Sequence, residues 1–323
     1  MFRKIEISLR TVLATLAILA GLWLILQIRD ILFLLFIAFL LATAIYPLVV
    51  LLERTRIPRL LAILIVYALI FGVFGFSVVS SIPTLVTQMT HLVEVMPAVV
   101  AKVLPYWNIN ITTIVQQLAP IGENLVKFTV GIFSNIITTL MVLVFTFYFL
   151  LERRHIKKII ADTFGSAIAE RAISILRDIE VRLGAWVRGE LVLMFTIGLF
   201  VYIGLVILKV EFALPIAIVS GLLEIIPNIG PIISAVPAVL IGLSMSPIVA
   251  LSVIALYVIV HQVEGNIFVP IIMKQSVGLS PLVSILALLV GSRLAGVTGA
   301  ILAVPVLLVF QVLIKYFTKN PAE

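Results

Sequence analysis

The sequence predicts an all-α integral membrane protein built as a polytopic helical bundle. Of its 323 residues, 63% are hydrophobic and only 11% are charged. Long apolar stretches recur from Thr11 to Phe317, and about 20 consecutive apolar residues are enough to cross a bilayer as a helix. These observations predict about six full spans and two inverted re-entrant hairpins. The alternative is eight or more spans, with each interrupted stretch counted as two.

Three spans are predicted in the N-terminal domain, residues 1–82. The first starts at Thr11; it is longer than the apolar part of a signal peptide and no small-residue cleavage site follows it, so we interpret it as a span. The second covers residues 31–52 and the third runs from residue 60 to about 82. The loop Glu53–Arg59 carries three arginines, which predicts that this loop and the N-terminus are cytoplasmic.

The middle of the chain alternates between polar and apolar segments. Residues 83–127 are amphipathic, contain four prolines and carry only two lysines, which predicts an external insert. Residues 128–151 form the fourth span. Residues 152–190 carry eight lysines and arginines, which predicts a basic cytoplasmic amphipathic arm that lies on the membrane surface or packs on the bundle. His91 and His155 are expected to be solvated.

The C-terminal transport core, residues 191–318, contains two interrupted apolar segments and is followed by a short tail, residues 319–323. The fifth span covers residues 191–208. Residues 212–245 are too long for one span and too short for two once Pro227-Asn-Ile-Gly-Pro231 has broken them, which favours a re-entrant hairpin. Residues 247–263 then cross the membrane, and residues 279–315 repeat the broken pattern.

The two interrupted segments also resemble each other in sequence. Ile233-Ser-Ala-Val-Pro-Ala-Val-Leu240 is echoed by Ile301-Leu-Ala-Val-Pro-Val-Leu-Leu308. Paired broken helices are typical of secondary transporters, because backbone groups freed by a break are tolerated only inside protein or along a wet cavity. One crossing separates the two hairpins, so they should enter from opposite sides, with the tips at 227–231 and 294–299 meeting near the midplane.

Polar side chains within this core are the candidate transport residues, because a central charge costs about 2.5–3.5 kcal/mol to insert. Glu224 precedes the Pro227 break by one helical turn, where a carboxyl group can bind a cation or exchange a proton; the alternative is that it caps N–H groups freed by the break. Asn228, at the predicted tip, offers a donor and an acceptor to a hydroxyl-rich substrate, unless it is only a turn residue.

A second polar group follows the crossing at residues 247–263. Glu264 is interpreted as a second coupling carboxylate, as a partner of Arg293, or as an interfacial cap. Arg293 neutralises Glu224 or Glu264, contacts an anionic ligand, or extends to the cytoplasmic surface. The predicted substrate- or ion-binding residues are Glu224, Pro227, Asn228, Gly230, Gln262, Glu264, Asn266, Arg293, Gly296 and Gly299.

Several function classes lack the residues that they require. There is no cysteine, no Gly-Lys pair for a phosphate-binding loop and no His-Glu-x-x-His zinc motif. We therefore predict neither enzymatic activity nor a cofactor or metal. The net charge of +7 is concentrated between apolar runs, as expected for cytoplasmic loops rather than a nucleic-acid surface. A passive channel and an intramembrane hydrolase using Ser244 and His261 are lower-ranked alternatives.

Four motifs together resemble the bacterial autoinducer-2 exporter family over nearly the whole chain. They are Gly221-Leu-Leu-Glu-Ile-Ile-Pro-Asn-Ile-Gly-Pro231, Gln262-Val-Glu-Gly-Asn-Ile-Phe-Val-Pro270, Ser276-Val-Gly-Leu-Ser-Pro281 and Gly296-Val-Thr-Gly-Ala-Ile-Leu-Ala-Val-Pro305. The resemblance also includes Trp186-Val-Arg-Gly189. Glu190, Ser280 and Arg293 depart from the family pattern. The resemblance implies export of the quorum-sensing furanone autoinducer-2, exchange of sodium or lithium for protons in some members, and a homo-oligomer, with a pentamer as the best guess.

Residues and resemblance together predict a secondary transporter in the bacterial inner membrane with both termini cytoplasmic. Its expected activity is export of a small polar metabolite similar to autoinducer-2, driven by exchange of protons or cations. The runner-up is a sodium(lithium)/proton antiporter with no organic substrate. The expected partners are therefore the solute, protons or monovalent cations, the lipid bilayer and further copies of the chain.

Overall fold

The structure is a computed structural model that describes residues 9–70, 136–226, 229–273 and 280–318, with isolated positions 72, 87, 91, 94, 95 and 98. These residues form helices and turns and no β-strand, which confirms the predicted all-α polytopic class. The helices of the first half are α1 Leu9–Gln27, α2 Arg29–Glu53, α3 Arg59–Ile70, α4 Ile136–Phe164 and α5 Ser166–Ile207. Those of the second half are α6 Ala213–Leu223, α7 Gly230–Met245, α8 Pro247–Val263, the short α9 Val269–Ile272 and α10 Pro281–Thr318. A π-helical turn, Glu264–Phe268, joins α8 to α9.

Four stretches of the described chain are long and apolar enough to cross a membrane. They are Arg29–Glu53, Ile168–Ile207, Pro247–Ile272 and Leu282–Thr318. Shorter apolar helices include α3, α6 and α7. Most of the predicted insert, residues 83–127, the end of the third span and the start of the fourth lie outside the described residues.

The predicted basic arm is formed by two long helices rather than by a separate segment. Helix α4 continues beyond the predicted fourth span to Phe164, and α5 begins at Ser166 and continues to Ile207 without a break at residue 190. Gly165 turns the chain between them with a φ of 81°, a value that favours glycine because it has no side chain. The charged ends of α4 and α5 thus form a helical hairpin.

The end of α10 packs against the charged half of α5. The Tyr316 hydroxyl donates to the Asp178 carboxylate at 3.0 Å, and Arg182 donates to the Gln311 side chain at 2.9 Å. We call this group of helix ends the stalk: residues 152–164 of α4, 166–182 of α5 and 311–318 of α10. The stalk brings the C-terminal end of α10 to the same side as the predicted cytoplasmic arm.

Helix α5 belongs to two of the apolar clusters in the described residues. One cluster joins its C-terminal half to α6, α7 and α8 around Leu205, Ile216 and Val253. The second joins its middle to α2 and α10 around Leu183 and Leu308. A third cluster joins α2, α3 and α4. Burial of these faces holds the helices together, and α5 links the two halves of the chain.

Both interrupted segments fold back on themselves. A Cβ added at Gly230, at the start of α7, would lie 2.0 Å from the Leu223 carbonyl oxygen at the end of α6. In α10 the backbone leaves helical geometry at Ala295 and Gly296, where φ is 60° at the glycine. A Cβ at Gly299 would lie 2.0 Å from the Gly291 carbonyl oxygen, so the two arms of α10 meet across this turn.

Candidate functional site

Glu224 is a buried carboxyl group at the break in the first interrupted segment, between α6 and α7. It caps the C-terminus of α6, one residue after Leu223, and is 2% exposed. Its Oε2 atom has no hydrogen-bond partner among the described residues. An unsatisfied buried oxygen carries a desolvation cost, which makes Glu224 the least compensated carboxyl group of the candidate site.

Glu264 is a second buried carboxyl group, and the π-helical turn Glu264–Phe268 orients it. Glu264 is 7% exposed, whereas Gln262 and Asn266 are exposed. The Asn266 amide donates to the Gln262 carbonyl oxygen at 2.8 Å and to its side-chain oxygen at 3.0 Å. Of the three predicted polar residues here, only Glu264 therefore faces the protein interior. Single π-helical turns are frequent at functional sites.

Glu190 completes the group, although in the sequence it stands out only as a departure from the family motif and as the last residue of the arm. It lies on α5 and is 5% exposed. Its carboxyl group interacts electrostatically with those of Glu264 and Glu224. The Glu224 and Glu264 carboxyl groups are within hydrogen-bonding reach of each other. We call Glu190, Glu224 and Glu264 the carboxylate cluster.

Among the described basic side chains, His261 is the one that contacts the carboxylate cluster. His261 Nδ1 lies 3.0 Å from Glu264 Oε2, and the His261 side chain is 44% exposed. Arg188 instead donates to the Thr43 and Ala44 carbonyl oxygens, each at 3.3 Å. Arg293 is exposed and forms no ion pair with a described residue. The structure therefore pairs Glu264 with His261 and not with Arg293.

A buried hydroxyl network connects the first broken segment to α8, one turn from Glu224. The Ser220 and Tyr257 hydroxyls are 2.8 Å apart, and the Tyr257 hydroxyl donates to the Ser234 carbonyl oxygen at 3.3 Å. The network thus joins α6, α7 and α8 and holds the end of α6 in a defined position.

The remaining predicted site residues surround the two turns. Pro227 and Asn228 lie outside the described residues. Gly230 begins α7, and Gly296 and Gly299 form the turn of α10. Ile226 packs on a small apolar cluster of α10, made of Leu288, Ala300 and Ala303. The turn that follows α6 in the first broken segment therefore contacts α10 in the second.

Comparison with known families decides the class of protein. The model of the family described as "AI-2E family transporter" matches residues 12–319. The chain belongs to this family. Membership confirms the resemblance stated from the sequence motifs, and it identifies the chain as a multi-pass membrane protein with a role in transport.

Three relatives illustrate the range of the AI-2E family. The chain is 34% identical to "Putative transport protein YrrI" of Bacillus subtilis (strain 168) over 177 residues, 55% of this chain and 50% of YrrI. It is 29% identical to "Putative transport protein YueF" of the same strain over 284 residues, 80% of this chain and 77% of YueF. It is 34% identical to "AI-2 transport protein TqsA" of Escherichia coli (strain K12) over 119 residues, 36% of this chain and 35% of TqsA. The chain thus spans about half the length of YrrI.

In this AI-2E family transporter, the carboxylate cluster has a simple chemical consequence. Three ionised carboxylates buried together would repel one another and lose their hydration, so the arrangement is stable only with bound protons or a cation. The described residues contain no group of three His, Asp or Glu side chains arranged to hold a metal ion.

Proposed function

We propose that this AI-2E family member is a secondary transporter that exports a small polar metabolite of the autoinducer-2 type in exchange for protons or cations. The observation that carries the proposal is the carboxylate cluster, Glu190, Glu224 and Glu264, buried without an arginine or lysine partner among the described residues. Buried ionisable groups in membrane segments mark ion and proton pathways.

A route for protons leads from the surface of the chain to the cluster. His261 is partly exposed and contacts Glu264, and Glu264 is within hydrogen-bonding reach of Glu224. A proton accepted by the imidazole can pass to Glu264 and then to Glu224 by rotation of side chains. Because Glu224 is the C-cap residue of α6, its protonation changes the charge at the C-terminal end of that helix.

The two broken segments supply the proposed moving parts. Helix α6 has 11 residues and α7 has 16, so they are about 16 and 24 Å long at 1.5 Å per residue. The part of α10 before its turn, residues 281–294, is about 21 Å long by the same rise. All three are shorter than the hydrocarbon layer of about 30 Å, which favours re-entrant hairpins over pairs of full spans.

The substrate class rests on two lines of support. TqsA, named as an AI-2 transport protein, is similar to about a third of this chain. The side chain of Asn228, at the predicted tip, and the exposed backbone of Gly296 in the turn of α10 are the groups that we propose for a hydroxyl-rich solute. Gly230 and Gly299 are buried and allow the two arms of each broken segment to approach closely. We place the protein in the bacterial inner membrane as a homo-oligomer, with a pentamer as the best guess and both termini cytoplasmic.

The second candidate is a sodium(lithium)/proton antiporter without an organic substrate. The same carboxylate cluster favours it, because exchange of a proton for a monovalent cation requires only titratable oxygen ligands. A hydrolase is less well supported: the Ser244 hydroxyl donates to the Ile241 carbonyl oxygen at 2.8 Å, and His261 contacts Glu264. A passive channel would show neither saturation nor exchange.

Inverted membrane vesicles with a proton-sensitive dye distinguish these candidates. Autoinducer-2 should cause proton movement in vesicles that contain the wild type but not in vesicles with Glu264→Gln. Glu170→Gln is a matched control, because Glu170 is an exposed acid on α5. A response to sodium or lithium alone would favour the antiporter. Solute flux of equal rate in wild type and Glu264→Gln, without proton movement, would contradict coupling.

A further inference from the structure

A second site of a different chemical character lies between α2, α4 and α5. It is a cavity of about 790 Å³, and none of the three clustered glutamates lines it. Cavities of about 300–1,000 Å³ are typical of small-molecule sites. We call it the arginine cavity, because its lining includes Arg54, Arg153, Arg177 and Arg188, with Glu180 as the one acidic side chain.

The charges in the arginine cavity do not balance. Arg153 binds the Glu180 carboxylate through two nitrogens and lies over the Tyr46 ring, 3.5 Å from its centroid. Among the described residues, Arg54, Arg177 and Arg188 have no carboxylate partner. Three positive charges therefore face the cavity without compensation. Guanidinium groups match phosphate and carboxylate oxygens in a bidentate geometry.

The rest of the cavity lining is largely apolar. Phe39, Val50 and Phe149 contribute to it, as do Leu51 and Val181. Leu51 is 60% exposed and Val181 is 58% exposed. Exposed apolar residues in the lining of a cavity between membrane helices make the cavity accessible from the lipid layer. The lining thus combines anion-binding arginines with a surface for a hydrocarbon chain.

We propose that the arginine cavity binds the phosphate group of an amphiphilic anion, with its hydrocarbon chain against Phe39, Val50 and Phe149. An anionic phospholipid fits this chemistry, since basic pockets between membrane helices on the cytoplasmic side bind anionic headgroups. Arg54 belongs to the loop Glu53–Arg59, which the sequence predicts to be cytoplasmic. A soluble organic phosphate shares the anion but lacks the chain. This site is independent of the proposed transport activity.

Lipid titration of the purified full-length protein tests the proposal. Detergent-solubilised protein is titrated with phosphatidylglycerol or phosphatidylcholine, and bound lipid is counted by native mass spectrometry. Wild type should retain phosphatidylglycerol in preference to phosphatidylcholine. Each of Arg54→Gln and Arg177→Gln should weaken phosphatidylglycerol binding about fivefold, the usual effect of one basic residue near an anionic membrane surface. Glycerol 3-phosphate as competitor measures the contribution of the headgroup alone.

Matched controls come from the same loop and the same helix. Arg56→Gln changes a neighbour of Arg54, and Arg171→Gln changes an arginine one and a half turns before Arg177; neither residue lines the cavity. Both controls should bind like wild type. Arg54→Lys and Arg177→Lys keep the positive charge and should retain most of the binding. They therefore distinguish loss of charge from misfolding as the cause of weaker binding. Equal phosphatidylglycerol affinity in the wild type and the glutamine variants would overturn the proposal. Binding of glycerol 3-phosphate without a lipid preference would assign the site to a soluble phosphate.

Discussion

At the scale of single residues, the position of Glu190 changes the interpretation of its neighbours. Alone, Glu224 and Glu264 form a carboxyl pair of the kind that shares one proton. With Glu190 added from a third helix, the proposed coupling site consists of three carboxyl groups, and its charge depends on the positions of α5, of the end of α6 and of the π-helical turn after α8. A shift of any of these helices alters the repulsion among the three side chains.

Glu224→Gln should separate the coupling role of this residue from a structural one. Glutamine keeps the shape and the hydrogen-bonding capacity of glutamate but cannot titrate. We expect the variant to insert and assemble normally while transport loses its dependence on pH or on the cation gradient. Transport assays in vesicles at several pH values, with Glu170→Gln as the exposed control, measure this. Unchanged coupled transport would refute the assignment, and loss of expression would indicate a structural cap.

The burial pattern at residues 261–266 could not be predicted from the sequence. Four polar residues in six positions predict a polar group at a membrane boundary. Which of them faces inward depends on the π-helical turn, because one extra residue in a turn rotates the following side chains. Composition does not reveal that turn. Glu190 was missed for a related reason: it lies next to eight basic residues whose charge dominates the pattern of the arm.

At the scale of secondary-structure elements, the apolar runs predicted the positions of the helices well. The predicted spans at 31–52 and 247–263 agree with α2 and α8 within a few residues. Hydropathy fails where a helix leaves the apolar layer, because a helix can continue through charged residues. The predicted fourth span and the beginning of the arm are therefore one helix, α4. The rest of the arm and the predicted fifth span are also one helix, α5.

The turn in α10 should be sensitive to the smallest added side chain. In Gly299→Ala the new Cβ would meet the Gly291 carbonyl oxygen at 2.0 Å, and backbone cannot move aside as a side chain can. We expect the free energy of unfolding to fall by about 1–3 kcal/mol, the usual cost of overpacking. Thermal or denaturant unfolding in detergent measures it. Gly21→Ala inside α1, where no atom lies within 4 Å, should not lower the stability, because alanine is a better helix former than glycine. Equal stability of both variants would contradict the close crossing.

The contact between the broken segments can be tested by crosslinking. Ile226 packs against the cluster that contains Ala303, and the chain has no cysteine of its own. Ile226→Cys combined with Ala303→Cys should therefore crosslink with a short reagent, and substrate should change the yield if the segments move during transport. The two single-cysteine variants serve as controls for reactivity. No crosslink despite two reactive cysteines would rule out this contact in the membrane.

At the scale of the whole molecule, the stalk constrains the topology. It places the ends of α4 and α10 and the beginning of α5 together, so these segments must emerge on one side of the membrane. The eight basic residues of the predicted arm favour the cytoplasmic side. The contacts therefore group these ends on one side, and the charge asymmetry predicts that this side is the cytoplasm.

Single-cysteine labelling tests this orientation. Glu170→Cys in the stalk should react with a membrane-impermeant maleimide only after cells are permeabilised, whereas Glu94→Cys in the predicted external insert should react in intact cells. Both glutamates are exposed, so reactivity reports the side of the membrane. The reverse pattern would require an inverted protein.

The length of α5 gives the molecule a mechanical property. Its 42 residues make a rod about 63 Å long at 1.5 Å per residue, roughly twice the hydrocarbon thickness. One end of this rod is braced by α4 and α10, and the other end holds α6 through close glycine packing at Gly198 and Gly221. A rigid rod transmits displacement between its ends, so we expect a tilt of α5 at the stalk to move α6 while Glu190, near the middle of the rod, moves least.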